Sequence, residues 1–269
     1  MGPLHVRRKT AALLYTALAF GAGTAASAED SLIGCNQDAM LVFDASGSMA
    51  SMGYNGLTVP RIFEAREALR TTLPQVTPFR KLGLVVYGPG AGDACSNVDI
   101  RFQPLPDAAD KILAEVDRTQ PEGETPLTLA VEAAAEALWQ DDQPGLVVLV
   151  TDGRETCGGS PCALADQLLE MSPGLTVHVI GFKIRGETFD PTSFGLGGFE
   201  KGGDTAARCL ADRTGGLYVS AESTDELTEA LQLTLGCALL SDATSPDWWE
   251  ELDRAGSASD LATADAPKV

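Results

Sequence analysis

A chain of 269 residues that is 44% hydrophobic and 21% charged has apolar material for a sizeable core, in one large or two small domains, and is neither disordered throughout nor collagen-like. Its 38 Asp and Glu outnumber its 19 Lys and Arg, for a formal charge of −19. That balance argues against nucleic acid and anionic membranes as partners, since both are held mainly by Lys and Arg.

The chain opens on a segment that reads as a secretory signal. Arg7, Arg8 and Lys9 precede an apolar run from Ala11 to Phe20, and Ala26-Ser27-Ala28 forms a small-residue cleavage site. The run is too short to span a bilayer. Cleavage after Ala28 would remove three basic and no acidic residues, deepening the charge to −22 and leaving His178 as the remaining histidine. The expected location is therefore secreted or periplasmic. A lipoprotein anchored at Cys35, within Leu32-Ile33-Gly34-Cys35, is the minor alternative, and Glu29 and Asp30 interrupt the apolar approach it would need. Residues 29–37 are read as a short lead.

From Asp38 to Cys237, short apolar runs alternate with helical patterns. Met40–Phe43, Leu82–Tyr87, Leu146–Val150, Val177–Ile180 and Leu217–Ser220 are rich in Val, Leu and Ile, as strands buried on both faces should be. Val98–Phe102 alternates in polarity and reads as an edge strand. Helices are predicted over Arg61–Leu69, Ala108–Val116, Leu127–Trp139, Ala163–Met171, Thr205–Arg213 and Thr224–Leu235. The alternation predicts one doubly wound, Rossmann-like α/β domain with a mostly parallel sheet and helices on both faces. Residues 238–269 are rich in Ala, Ser and acids, without periodicity, and read as an acidic disordered tail. Within it, Trp248 and Trp249 are candidate partner contacts, as are Phe189, Phe194 and Phe199 in the Gly-rich stretch from Arg185 to Asp204.

In this architecture the loops after the strands carry the chemistry. Three stand out: Asp44-Ala45-Ser46-Gly47-Ser48-Met49, Gly123-Glu124-Thr125-Pro126-Leu127 and Thr151-Asp152-Gly153. Asp44, Ser46 and Ser48 at alternate positions of a tight turn can converge, with Gly47 giving the backbone room to curl. Thr125 and Asp152 can add a hydroxyl and a second carboxylate from neighbouring loops. A set of oxygens without nitrogen or sulfur suits Mg2+ or Mn2+, and Ca2+ next, over zinc. The plain alternative is that the serines only cap the following segment.

These residues carry a family resemblance. Asp44-Ala45-Ser46-Gly47-Ser48, Thr125 within Gly-x-Thr-Pro-Leu, and Asp152-Gly153 resemble the three segments of the metal-ion-dependent adhesion site (MIDAS) of von Willebrand factor A domains. With Thr214-Gly215-Gly216-Leu217-Tyr218 leading into the last strand, the resemblance covers residues 38–237. It implies that Ser46, Ser48 and Thr125 are hydroxyl ligands, and that Asp44 and Asp152 act directly or through water. It further implies a protein ligand whose Asp or Glu carboxylate completes the coordination. The six cysteines, all after the signal, suggest three disulfides, for which sequence alone permits fifteen pairings. Within that fold the expected set is Cys157–Cys162 in one loop, Cys35–Cys237 joining the domain ends, and Cys95–Cys209. The extra cysteines resemble those of bacterial secreted members of the family.

An enzyme is not expected. His178 sits mid-strand, suited to a structural role and not to a base at a loop tip. A magnesium-dependent phosphoryl transfer through Asp44 is the enzymatic rival, but that chemistry normally wants a second acid two residues on, where Ser46 stands. A purely structural domain is third.

Overall fold

The computed structural model describes residues 37–52, 59–139, 145–184 and 202–236. Among the described residues six strands form one sheet: β1 (Ala39–Asp44), β2 (Leu82–Tyr87), β3 (Val98–Leu105), β4 (Leu146–Thr151), β5 (Thr176–Phe182) and β6 (Tyr218–Ala221). Their order is β3-β2-β1-β4-β5-β6. All neighbours are parallel except β3, which runs antiparallel to β2 at the edge. This is the doubly wound α/β arrangement the alternating pattern predicts. β3 is the one strand with a mostly exposed, alternating burial pattern, as its polar alternation requires.

The helices are α1 (Arg61–Val76), α2 (Ala109–Arg118), α3 (Leu127–Leu138), α4 (Pro161–Met171), α5 (Gly202–Thr214) and α6 (Thr224–Leu235). Successive side chains of a strand point to opposite faces, so β1 divides between two cores. Ala39, Leu41 and Phe43 pack with α1, α2 and α6; Met40 and Val42 pack with α3, α4 and α5. Every residue of β1 is buried, and a side chain such as Phe43 contributes roughly 1.5–3 kcal/mol by leaving water. The last helix starts where Ser223 accepts the Glu226 N–H through its hydroxyl (3.2 Å), a capping interaction written in the sequence. No described helix is long and apolar enough to cross a membrane.

The disulfides differ from those expected. Cys95 pairs with Cys157, and Cys162 with Cys209, so neither Cys157–Cys162 nor Cys95–Cys209 forms. Pro161 begins α4 one residue before Cys162, which commits Cys162 to the helix end facing α5. There Arg213 donates to the Cys162 carbonyl (2.8 Å) and pairs with Asp166. Cys157 stays behind in the loop after β4 and reaches across the sheet end to the turn after β2, where the two Cα atoms are 5.3 Å apart. The two cysteines five positions apart therefore diverge. Cys35 and Cys237 lie outside the described residues, as do residues 1–28, the tail, Phe189, Phe194, Phe199, Trp248 and Trp249.

Candidate metal centre

The strand order reverses between β1 and β4, and an open α/β sheet leaves a crevice at that point, beyond the carboxyl ends of the strands. Asp44 ends β1, and Asp152 follows β4 directly. Both carboxylates are fully buried. One Asp44 oxygen accepts the Ser46 N–H (2.8 Å), and the other accepts the Thr151 hydroxyl (2.7 Å), which in turn accepts from the Tyr87 hydroxyl (3.1 Å). Burial and the Asp44 charge raise the Tyr87 phenol well above its usual range, so it remains a neutral donor.

Ser46 is extended (φ −64°, ψ 169°) and precedes a short 3-10 turn over Gly47–Ala50. It holds the N-cap position of that turn, yet its hydroxyl makes no capping bond. That hydroxyl lies 3.0 Å from the Ser48 hydroxyl, and Ser48 donates to Asp152 Oδ1 at 2.6 Å. The two serines thus converge because one is extended and the other lies in a 3-10 turn.

Gly47 is not in the left-handed region; its N–H donates to the Gly123 carbonyl (3.0 Å). The conformational freedom is needed at Gly88 (φ +108°) and Gly123 (φ +83°) instead. A Cβ on Gly88 would sit 2.6 Å from the Ser46 nitrogen, and one on Gly123 would sit 2.2 Å from the Gly88 carbonyl oxygen. Three backbones stack here without side chains between them, which seats the first loop on the second.

Thr125, buried, precedes α3. A Cβ added to Gly153 would stand 3.6 Å from the Ser48 hydroxyl and 3.8 Å from the Thr125 hydroxyl, so hydroxyls from two loops face one small volume beside Asp152. The five expected residues are therefore brought together. Arg61, the buried first residue of α1, donates to Asp152 Oδ2 at 2.7 Å and forms, among the described residues, the ion pair of the site. Two buried carboxylates face one guanidinium. Burial first, and then the Asp44 charge, raise Asp152 to about 7, against the opposing pull of Arg61 and Ser48. An all-oxygen set with, among the described residues, one excess buried negative charge and a cradle left open by Gly153 fits a hard divalent cation.

No role was assigned from sequence to Arg61, Tyr87 or Gly88, nor to Thr151 within the loop singled out there. Arg61 carried a local signal of its own, since a cation in the first turn of a helix opposes the helix dipole and asks for a compensating anion. His178 lies away from the site in β5, where its Nδ1 accepts the Leu217 N–H (2.8 Å), and burial lowers it to about 4.

Known proteins share the domain in which these residues lie. Residues 39–155 match the family model for the von Willebrand factor type A domain. The uncharacterised protein YwmD of Bacillus subtilis (strain 168) is 27% identical over 199 residues, covering 71% of this chain and 81% of YwmD. Among solved structures, the conserved hypothetical protein BatB from Bacteroides thetaiotaomicron superposes with a TM-score of 0.52 at 16% identity, covering 74% of this chain and 98% of that one. The pilus adhesin SpaC from Lactobacillus rhamnosus GG gives a TM-score of 0.54 at 13% identity, covering 74% of this chain and 30% of that one. Proximal thread matrix protein 1 from the mussel byssus gives 0.50 at 19% identity, covering 76% of this chain, which spans 48% of the mussel chain.

Proposed function

From the match of residues 39–155 to the von Willebrand factor type A domain we propose that the chain is a metal-dependent protein-binding module of that family, with a MIDAS at the carboxyl end of its sheet. Asp44, Ser46, Ser48, Thr125 and Asp152 would hold the ion, with Mg2+ the best match and Mn2+ or Ca2+ next. One observation carries the reading: the Ser46 hydroxyl occupies a capping position without capping, and turns instead to Ser48 beside Asp152. A purely structural turn would use that hydroxyl on the backbone.

A bound divalent ion would supply an exchangeable position for a partner's Asp or Glu carboxylate. The chain's own residues set up that exchange. Thr151 and the Ser46 N–H hold Asp44 in place, Arg61 holds Oδ2 of Asp152, and Gly153 leaves the space open. With Asp152 ionised, Arg61 and a divalent ion together outweigh the two carboxylates by one positive charge, which favours an anionic ligand. The acidic chain as a whole would repel such a partner without that local charge. The SpaC structure, a pilus adhesin, is one setting in which this fold occurs. The domain is read as extending over residues 38–237, exported by the segment 1–28 and non-catalytic; the charge of the chain speaks against nucleic acid as the partner.

The test is capture of protein from an extracellular or periplasmic extract, in magnesium and in chelator, beside calorimetric titration with Mn2+. Wild-type protein binds Mn2+ and captures its partner only with metal, and Asp44→Ala does neither. Chelator-insensitive capture overturns the adhesion reading, and magnesium-dependent phosphatase turnover lost in Asp44→Ala favours the enzymatic rival.

A further inference from the structure

Thr125 belongs to a loop that its own segment does little to secure. Helix α3 begins after Pro126, which has no side-chain capping group, and its first turn has no acid. The missing support comes from the loop after β4. Thr156 accepts the Thr125 N–H through its hydroxyl at 2.8 Å, and its own N–H donates to the Thr125 carbonyl at 3.2 Å. Glu155 accepts the Thr128 N–H with one carboxylate oxygen (2.7 Å) and the Cys157 N–H with the other (2.8 Å). It therefore caps α3 from another loop while fixing its own backbone. Cys157 is bonded to Cys95, in the turn after β2. That turn follows Gly88, whose close approach to the Ser46 backbone seats the serine loop.

From this connectivity we infer that Glu155-Thr156-Cys157 is a positioning unit for Thr125, locked by the Cys95–Cys157 bridge, and that it sets the metal affinity of the site. The inference rests on the metal-binding reading above. Each member acts on a different part of the Thr125 loop: Thr156 on both polar groups of the Thr125 backbone, Glu155 on the helix start three residues on, and the disulfide on the loop bearing both. The other bridge, Cys162–Cys209, joins α4 to α5 and, among the described residues, makes no hydrogen bond to this loop. The two disulfides therefore have separable roles, one for affinity and one for stability. Support of this kind behind a metal ligand typically changes affinity by about 10–100-fold.

The experiment is Mn2+ titration calorimetry with urea unfolding, on the full chain. Thr156→Val weakens Mn2+ binding about tenfold, toward the low end of that range because Thr156 is exposed, and Thr156→Ser, which keeps the hydroxyl, restores it. Thr214→Val removes a comparable hydroxyl that accepts the Val177 N–H (2.9 Å) far from the site, and lowers stability with metal affinity unchanged. The Cys95→Ala/Cys157→Ala pair also loses about tenfold or more in affinity, whereas Cys162→Ala/Cys209→Ala loses stability alone. Equal Mn2+ affinity in wild type and Thr156→Val, or equal losses from the two disulfide deletions, overturns the positioning role while leaving the metal site standing. Failure of the wild type itself to bind Mn2+ overturns both.

Discussion

Metal binding at this site should be coupled to one proton near neutral pH. Asp152 is raised to about 7 by burial and by the charge of Asp44, and a divalent ion needs it as a carboxylate. The perturbation is a change of pH from 8 to 6. At pH 8 the metal-free site is mostly ionised and pays little. At pH 6, one unit below the Asp152 value, roughly ten protonated sites stand for each ionised one, so the apparent Mn2+ affinity falls about tenfold, or about 1.4 kcal/mol. Calorimetry in two buffers of different ionisation enthalpy should then show close to one proton released per ion at pH 6 and little at pH 8. Stability without metal should move the opposite way. Asp152 binds its proton more tightly in the folded chain than in the unfolded one, where a carboxyl titrates near 4, so between about 4 and 7 the folded chain holds the extra proton. Its contribution to stability in chelator therefore falls as pH rises through that window, while in saturating Mn2+, where neither the metal-bound nor the unfolded chain holds that proton above about pH 5, it should be nearly flat. Arg61→Met removes the guanidinium that opposes the upward shift and should move the binding midpoint to higher pH. Affinity that is flat between pH 6 and 8, with no proton release, refutes the charge argument.

Two further predictions concern the framework around the site. Gly123→Ala places a Cβ 2.2 Å from the Gly88 carbonyl oxygen in a left-handed conformation, so it should cost more than Gly92→Ala, which shares the left-handed backbone but meets nothing within 4 Å. The conformational part alone is about 1–2 kcal/mol, and urea unfolding of the two variants measures the difference that the close approach adds. His178→Ala removes the acceptor of the Leu217 N–H and should cost about 1–3 kcal/mol with Mn2+ affinity unchanged. In the wild type the His178 value is lowered to about 4 by burial and next by Arg80, so its contribution is lost as pH falls from about 6.5 toward 4, because the unfolded chain takes up the proton first. Urea titrations of wild type and His178→Ala should converge at the acid end, and parallel curves would remove His178 from the account.

The sheet was largely legible before the fold was known, for a simple physical reason. Parallel strands buried on both faces must be continuously apolar, so β1, β2 and β4 stand out as runs of Leu, Val and Met, while β3 betrays its edge position by alternating. The loops holding Asp44, Ser46, Ser48, Thr125 and Asp152 were legible too, since each directly borders an element whose period can be read. What was not legible depends on distance along the chain. Arg61 meets Asp152 from 91 positions away, Thr156 reaches Thr125 across 31, and Thr151 meets Asp44 across 107. No local pattern names the partner in such pairs, because a helix start, strand end or loop residue gains that partner only when the sheet order makes it a neighbour.

The cysteines show the boundary most sharply. Their number and the apparent signal implied disulfides, but nearness in sequence suggested Cys157–Cys162, and the start of α4 between them decided otherwise. Composition, periodicity and loop chemistry by themselves determined that this is a doubly wound α/β domain with oxygen-bearing side chains gathered at one sheet end. The tertiary structure decided how that end is held: which loop supports Thr125, which cation faces Asp152, and which bridge ties the rim. Those choices rest on the strand order, which brings β1 beside β4 and sets the loops after β2 and β4 within reach of each other. Proximity created by folding can be read only once the chain has folded.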